Sequence, residues 1–308
     1  MTLDKSYPLY SAAFRYFVAV AEAGSIRGAA RKLNVVSSAV NRQILNLEQS
    51  FDVQLFERVG RGLRLSVAGG VLLKHAKKAL VDLEGAIDAL DDLSGLKRGI
   101  VKVAVVESIA DSILPDIVVT FQDAYPGIEI DVQVMSSTKV TRAIASAECH
   151  VALTFNPSVQ KGLNHVCTYS LPVGVVVAKH HPLALKDQCH FEDCLAFPVA
   201  MPTGQLSIGQ TIGALMDSGG HQAGSIVRTN SLRFMRQLVL GGTYVAFQTR
   251  LGLASAEASR QLAFIPILDP QLAMEELVLL TNASHEPSLA PKEFTKHVEA
   301  SLKNFTPN

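Results

Sequence analysis

The pattern of apolar and polar positions near the N-terminus predicts three short helices. The first covers residues 11–23. Ser25 can cap the second, because its hydroxyl oxygen can accept a hydrogen bond from a first-turn N–H. Small residues at Ala29 and Ala30 let this helix lie close to the third, which begins near Ser37. The third helix has apolar residues at helical spacing: Val40, Ile44 and Leu47. Together these elements predict a helix-turn-helix.

The opposite face of the third helix carries two short hydrogen-bonding side chains and a cation: Ser38, Asn41 and Arg42. Such residues near the start of an exposed helix suit base edges and phosphates in the major groove of DNA. The alternative is an ordinary amphipathic helix whose polar face is simply solvated. The next segment of the chain favours the DNA interpretation.

A basic hairpin is predicted after the third helix, with strands over residues 54–57 and 63–65. Gly60 and Gly62 lie in its turn, where glycine permits positive φ angles. Arginines near the tip would suit phosphate contact beside the helix. The candidate DNA-binding residues are Arg27, Ser37, Ser38, Asn41, Arg42, Arg58, Arg61 and Arg64.

A long helix is predicted over residues 66–93, with Ser66 as its cap. Its apolar residues follow a heptad pattern: Leu72, Ala76, Ala79, Leu83, Ala86, Leu90 and Leu93. One helix could bury such a stripe on its own domain. A rod of roughly 40 Å is long for that purpose, so the pattern favours pairing with a second copy of the chain.

Beyond a hinge near residues 94–99, the periodicity changes to alternating strands and helices, among them a helix predicted over 109–124 and a strand over 277–281. This alternation predicts an α/β domain with a parallel sheet and right-handed crossovers. A second alternating series begins at residue 173, and the chain is expected to cross between two lobes near 160–170 and 266–272. Ligands of such sheets bind beyond the carboxyl ends of the strands, so a cleft between the lobes is the expected binding site.

The loops at these strand ends are rich in hydroxyl groups and precede helix N-termini, which favour anions. Simple helix capping explains any one of these residues equally well. If these loops surround one cleft, their donors would suit a small organic anion, since Glu107 is the only acidic residue expected there. The candidate effector-binding residues are Ser108, Ser136, Ser137, Thr138, Asn156, Thr203, Ser231 and Gln248.

Composition is that of a globular protein, with 48% hydrophobic and 18% charged residues among 308. The net charge is zero, but residues 1–66 hold nine Lys/Arg against five Asp/Glu, so the basic excess lies where DNA would be met. No apolar run is long enough for a membrane helix and no secretory signal is present, which predicts a cytoplasmic location. No common catalytic or nucleotide-binding motif occurs, so neither an enzyme nor a cofactor is predicted.

The four cysteines do not form a Cys-x-x-Cys pair. Small buried thiols are the expected interpretation in a reducing compartment. Cys189 and Cys194, with His190 between them, offer a redox or metal pair as the alternative. His180-His181-Pro182 also suggests a metal site.

Residues 14–66 resemble the DNA-binding domain of LysR-type transcriptional regulators. The matching features are Phe14-x-x-Phe17, Gly24-Ser25, Ala29-Ala30-x-x-Leu33, Ile44-x-x-Leu47-Glu48, Leu55-Phe56-x-Arg58 and Leu65-Ser66-x-Ala68-Gly69. The chain departs from the family pattern at Val36-Ser37-Ser38 and Asn41, where a Ser-Gln-Pro turn and a serine are usual. Asp52 stands where a glycine is usual. The base sequence recognised by relatives therefore does not carry over to this chain.

The resemblance extends to the effector domain through Leu114-Pro115, Phe121 and Tyr125-Pro126. It implies that the hydroxyl-rich loops surround one effector pocket. A His-Pro pair commonly ends a strand in this family, so the resemblance also implies a turn, and not a metal site, at His181-Pro182. The resemblance implies a winged helix-turn-helix over 1–65, a linker and dimerisation helix over 66–94, and an effector-binding domain over 95–308. That domain should resemble periplasmic solute-binding proteins, with lobe I over about 99–165 and 270–308 and lobe II over about 166–269.

The resemblance also implies a function and partners. A regulator of this type binds a palindromic promoter element in double-stranded DNA, responds to a small-molecule effector and forms a homodimer that assembles into a homotetramer. RNA polymerase is a further candidate partner, and no membrane partner is expected. The alternatives are a cytoplasmic solute-binding or sensor protein without DNA function, and an α/β enzyme. The motif over residues 25–64 opposes the former, and nothing in the sequence suggests turnover for the latter.

Overall fold

The computed structural model describes residues 12–60, 62–92, 99–204, 206–219, 224–253, 260–272, 274–284 and 287–304. The chain divides into two compact units, one ending at Ala86 and the other starting at Ile87. The N-terminal unit contains helices α1 (Ala12–Ala23), α2 (Ile26–Leu33) and α3 (Ser37–Phe51), strands β1 (Phe56–Val59) and β2 (Gly62–Leu65), and most of α4 (Val67–Asp92). This order confirms the predicted winged helix-turn-helix.

Both predicted helix caps are present. The Ser25 hydroxyl accepts a hydrogen bond from the Gly28 N–H at 3.1 Å, and the Ser66 hydroxyl accepts one from the Gly69 N–H at 3.0 Å. Ser66 also donates to the Gln54 carbonyl at 2.6 Å, so the same side chain fixes the entry into α4 against the segment before β1. These bonds satisfy helix N-termini that would otherwise leave N–H groups without partners.

The wing is an antiparallel pair in which Phe56 faces Leu65 and Val59 faces Gly62. Gly60 has a φ of +58°, as predicted for this turn, whereas Gly62 lies outside the left-handed region. The Leu63 N–H donates to the Gly24 carbonyl at 2.8 Å, which ties β2 to the end of α1. The wing is thereby held beside the helices by the backbone itself.

Glu48 links the last turn of α3 to the start of the wing. Its Oε1 accepts hydrogen bonds from the Leu55 N–H at 2.7 Å and the Phe56 N–H at 3.2 Å. Both residues are buried, so no solvent could readily replace the carboxylate. We expect Glu48→Ala to lower the free energy of unfolding by about 1–3 kcal/mol, measured by urea denaturation. Glu48→Gln keeps an acceptor oxygen and should lose less; equal losses in both variants would contradict this assignment.

Asp52 follows α3 in the left-handed conformation, with a φ of 53°. This is the position where the family usually has glycine, and glycine adopts this conformation without a steric penalty. We therefore expect Asp52→Gly to raise the unfolding free energy by about 0.5–1 kcal/mol. Asp52→Ala is the matched control, because it removes the charge and retains the backbone strain. If Ala stabilises as much as Gly, the charge and not the backbone is responsible.

Part of the predicted heptad stripe is already used within the N-terminal unit. Ala76 is fully buried there, and Leu72 and Ala79 pack against the same core around Phe17 and Leu47. The first half of the stripe therefore follows the alternative of burial on its own domain. The remaining side chains of the stripe, from Leu83 to Leu93, lie outside the described part, so the expected pairing with a second copy rests on them.

The second unit is an α/β domain. Its strands are β3 (Gly99–Val105), β4 (Ile128–Val134), β5 (Val151–Phe155), β6 (Leu163–Ala178), β7 (Val199–Pro202), β8 (Ile226–Thr229), β9 (Val245–Thr249), β10 (Leu262–Pro266) and β11 (Met274–Asn282). Its helices are α5 (Glu107–Ala110), α6 (Leu114–Ala124), α7 (Ser137–Ala145), α8 (Phe191–Leu195), α9 (Ser207–Gly219), α10 (Leu232–Leu240) and α11 (Leu289–Asn304). Short 3-10 helices cover Pro182–Leu185 and Arg250–Leu253.

The strand order divides this domain into two lobes. In lobe I, β3 runs parallel to β4 and β5; in lobe II, β7 runs parallel to β8 and β9. The long strand β6 belongs to both, because its first half pairs with β11 and its second half with β9 and β10. Lobe I is built around Val103, Leu153 and Phe294, and lobe II has its own core around Phe191 and Phe247. The two-lobed α/β prediction is confirmed. The sheet is mixed and not purely parallel as predicted, because β6, β10 and β11 run antiparallel to their neighbours.

Two predicted elements differ from the structure. Residues 109–124 were expected to form one helix, but the chain forms α5 and then α6, in which Pro115 occupies the first turn. Proline has no N–H and its ring clashes with a preceding turn, so it starts a helix and does not continue one. The strand expected from residue 173 begins ten residues earlier, at Leu163. Among the described residues, no helix is both long and apolar enough to cross a membrane.

Candidate DNA-binding surface and effector cavity

The outward face of α3 carries the predicted DNA-binding side chains. Ser38, Asn41 and Arg42 are exposed, while Val40, Ile44 and Leu47 on the opposite face are buried in the core. Ser37, at the first position of the helix, is half-buried, and Arg27 on α2 is exposed. The predicted division of α3 into a core face and a free polar face is therefore confirmed. Contact of these residues with DNA remains a prediction.

The wing presents two of its three predicted arginines. Arg58 on β1 and Arg64 on β2 are both exposed. Arg64 also forms a surface ion pair with Glu57 on the facing strand, at 3.0 Å. Exposed ion pairs contribute little to folding stability, so Arg64 could exchange Glu57 for a DNA phosphate with only a small loss of free energy. Arg61 lies outside the described residues.

A cavity of about 240 Å³ lies in the second unit, where loops of the two lobes meet. Its walls come from the carboxyl ends of β3, β4, β5 and β9 and from the first residues of α9. This position beyond the strand ends is the one predicted for a ligand. Hydroxyl, amide and carboxylate groups share the lining with apolar side chains such as Met135, Phe155 and Ile208.

Four of the eight predicted effector-binding residues line this cavity: Ser108, Ser136, Ser137 and Gln248. The other four lie close by in the chain but are not part of the wall. Thr138 and Asn156 are exposed, and the Asn156 Oδ1 accepts a hydrogen bond from the Glu276 N–H at 2.9 Å. Thr203 is half-buried ahead of α9, and Ser231 caps α10. Ser231 therefore has the helix-capping role that was the alternative to effector binding for each of these residues.

Glu107 holds the N-terminus of α10. Its carboxylate accepts hydrogen bonds from the Leu232 N–H at 3.0 Å, the Arg233 N–H at 3.1 Å and the Ser231 hydroxyl at 3.3 Å. An ion pair between Arg236 and Asp111 joins the same helix to the residue that ends α5. Since helix N-termini attract anions, Glu107 fills a place that an anionic ligand could otherwise take. These contacts also connect lobe I to lobe II.

A second carboxylate, that of Glu275, lines the cavity and was not expected from the sequence. Glu275 is buried, and the side chains of Ser207 and Asn156 hydrogen-bond to its carboxylate. Burial raises the pKa of Glu275, and these two hydrogen bonds oppose the increase. Among the described lining residues there is no Lys, Arg or His. The expectation that Glu107 is the only acidic residue at the cleft is therefore wrong, and the prediction of an anionic effector loses that part of its support.

The cysteine pair lies away from the cavity wall, in the core of lobe II. The sulfur atoms of Cys189 and Cys194 are 3.9 Å apart and both side chains are buried. The hydrogen bond with Cys189, together with burial, raises the pKa of Cys194. His181 caps the 3-10 helix after β6 by accepting the Leu183 N–H at 3.2 Å, as the predicted turn requires. Within the described part of the chain, no cluster of His, Cys, Asp and Glu side chains could hold a metal ion.

A winged helix-turn-helix and a two-lobed α/β domain with a cavity, carried on one chain, define a ligand-responsive DNA-binding regulator as the class of protein. Comparison with known families agrees with this class. Residues 94–303 match the LysR substrate binding domain, and residues 11–70 match the bacterial regulatory helix-turn-helix protein, lysR family. The chain belongs to the LysR family of transcriptional regulators, and it is a DNA-binding regulator with an effector-binding domain.

Individual relatives are distant. The HTH-type transcriptional regulator AlsR of Bacillus subtilis is 27% identical over 60% of this chain and 61% of its own length. The uncharacterized HTH-type transcriptional regulator YdcI of Escherichia coli is 29% identical over 75% of this chain and 76% of its own. The crystal structure of full-length CbnR complexed with its target DNA has a TM-score of 0.60 at 21% identity, covering 94% of this chain and 98% of that one. The last likeness concerns the fold alone.

Proposed function

We propose that this protein binds a palindromic promoter element as a homodimer and changes its DNA contacts when a small molecule enters the cavity. The observation that carries the proposal is the free polar face of α3, with Ser38, Asn41 and Arg42 exposed above a buried apolar face. Helices with this arrangement place their first turns on base edges, while neighbouring cations hold the phosphates. Arg27, Arg58 and Arg64 are exposed on the flanking elements and would supply those cations.

The second part of the proposal concerns organisation. Residues 1–65 would form the DNA-binding domain, 66–94 the dimerising linker and 95–308 the effector domain, whose contacts would join two dimers into a homotetramer. The protein would act in the cytoplasm on double-stranded DNA, with RNA polymerase as a further partner, and without enzymatic turnover. Ligand and DNA are coupled only if the ligand has different affinities for two conformations of the effector domain. The Glu107 and Asp111 contacts with α10 are among the described links between the lobes that such a ligand would bias.

The experiment is a gel shift of the full chain with DNA from upstream of its own gene. We expect a shifted band that unlabelled upstream DNA removes and that an equal amount of scrambled DNA does not. Affinity should fall steeply with salt, because each phosphate contact releases counterions. Equal competition by both DNAs would contradict sequence-specific binding, and no shift at any salt concentration would favour the solute-binding alternative.

A further inference from the structure

Glu275 is a buried carboxylate on the cavity wall, with 3% of its surface exposed. Its hydrogen-bond partners, Ser207 and Asn156, are neutral. No described side chain of the cavity wall is a cation that could balance it. Removing an ionised carboxylate from water without a cation beside it is unfavourable in free energy. A ligand that places a cation next to the carboxylate would offset this desolvation penalty.

The other cavity carboxylate cannot have the same role. Three donors at the start of α10 already satisfy Glu107, two of them backbone N–H groups. The partial positive charge of that helix end also balances its charge. Glu275 is thus the carboxylate that is left to pair with a ligand.

Gln248 supplies an independent observation. It lines the cavity with only 5% of its surface exposed, and its Nε2 has no hydrogen-bond partner. A buried amide donor without a partner costs free energy that a ligand acceptor would regain. A carboxylate, carbonyl or hydroxyl oxygen on the ligand would serve, and the neighbouring Ser108 and Ser136 hydroxyls could join it.

Resting on the proposed function, we infer that the cavity takes a small primary amine with a separate hydrogen-bond acceptor, the ammonium pairing with Glu275 and the acceptor with the Gln248 amide. Charge-assisted hydrogen bonds are about twice as strong as neutral ones, so the ammonium contributes most of the selectivity. Met135, Phe155 and Ile208 would enclose the carbon skeleton between the two polar ends. A simple organic acid would bring a second negative charge beside Glu275 and gain no cation.

The test compares matched pairs of compounds by calorimetric titration of the full chain. Each pair consists of an amino acid or amino alcohol and the analogue with a hydroxyl in place of the amine. We expect at least one amine to bind about tenfold or more tightly than its hydroxyl analogue. Glu275→Gln should remove that preference, and Glu276→Gln is the matched control because this neighbouring carboxylate is exposed. Gln248→Met should weaken the same amine and spare a monoamine that has no acceptor.

The comparison of ligands in the wild-type protein needs no variant, so it stands even if Glu275→Gln does not fold. Hydroxyl analogues or simple acids that bind as well as the amines would overturn the inference, and so would a panel in which no amine binds. Unchanged amine affinity in Glu275→Gln would also overturn it. The proposed function is judged separately by the gel shift with upstream DNA, whose outcome does not depend on which compounds bind the cavity.

Discussion

Replacing Leu83 with Glu is expected to separate the dimer and to lower operator affinity at least about 100-fold. Leu83 occupies the heptad stripe of α4 beyond the part that the N-terminal unit buries against its own core. In a two-fold pair, both copies would place a carboxylate in the apolar seam, and an unpaired buried charge costs several kcal/mol. A monomer would keep one recognition helix and lose the contacts of the second half-site.

Light scattering and gel shift measure the two effects in the same preparation. Leu83→Met is the matched control, because it preserves volume and apolar character and should remain dimeric. Circular dichroism should show that the Glu variant keeps its helices, so that lost assembly is not lost folding. A wild-type chain that is monomeric at micromolar concentration, or a Leu83→Glu chain that stays dimeric, would contradict the linker assignment.

Replacing Arg42 with Ala is expected to weaken binding to the operator by about 1–3 kcal/mol and to relax the preference at one base pair. Arg42 is exposed on the free face of α3 beside Asn41, where it would reach the bases if the helix enters the major groove by its first turns. Arg42 would contact a base only in the operator, so its replacement should change the affinity for scrambled DNA much less.

Arg58→Ala provides the contrasting result. Arg58 is exposed on the wing, where it could contact a phosphate. Losing that contact would lower the affinity for all DNA sequences about equally and would reduce the slope of affinity against salt concentration. Lys139→Ala removes an exposed cation from α7 of the effector domain and should leave DNA affinity unchanged. If Arg42→Ala and Lys139→Ala behave alike, α3 is not the element that reads the operator. Arg61→Ala is predicted to resemble Arg58→Ala from the sequence alone.

Local sequence signals predicted the N-terminal unit well. Ser25, Ser66 and Gly60 each act through neighbours a few residues away, so their capping and turn roles are visible without the fold. The contact of Glu48 with Leu55 and Phe56 spans seven and eight residues and depends on how α3 meets the wing. No local pattern specifies that distance, although Glu48 belongs to the motif that marks the family.

The cavity was harder to predict because strands distant in sequence build it. Gln248 lies at the end of β9, and Ser108 lies in α5 just after β3; the alternation located both strands. Glu275 belongs to β11, whose start was predicted at Leu277 and lies at Met274. Glu275 lies two residues before Leu277 and therefore points to the same buried side of the strand. If the in-and-out alternation of β11 is extended back from Leu277 by one inward position, Glu275 is predicted to face the interior. A carboxylate facing the cavity gives a reason to doubt an anionic effector.

Footprinting of the upstream DNA with the full chain tests most directly whether two copies of α3 read a two-fold symmetric site. We predict two protected half-sites of related inverted sequence, with centres separated by about one helical turn or a whole multiple of it. Arg42→Ala should lose both half-sites together at concentrations where the wild-type protein fills them. Protection without inverted symmetry, or protection that Arg42→Ala leaves intact, would contradict this mode of binding.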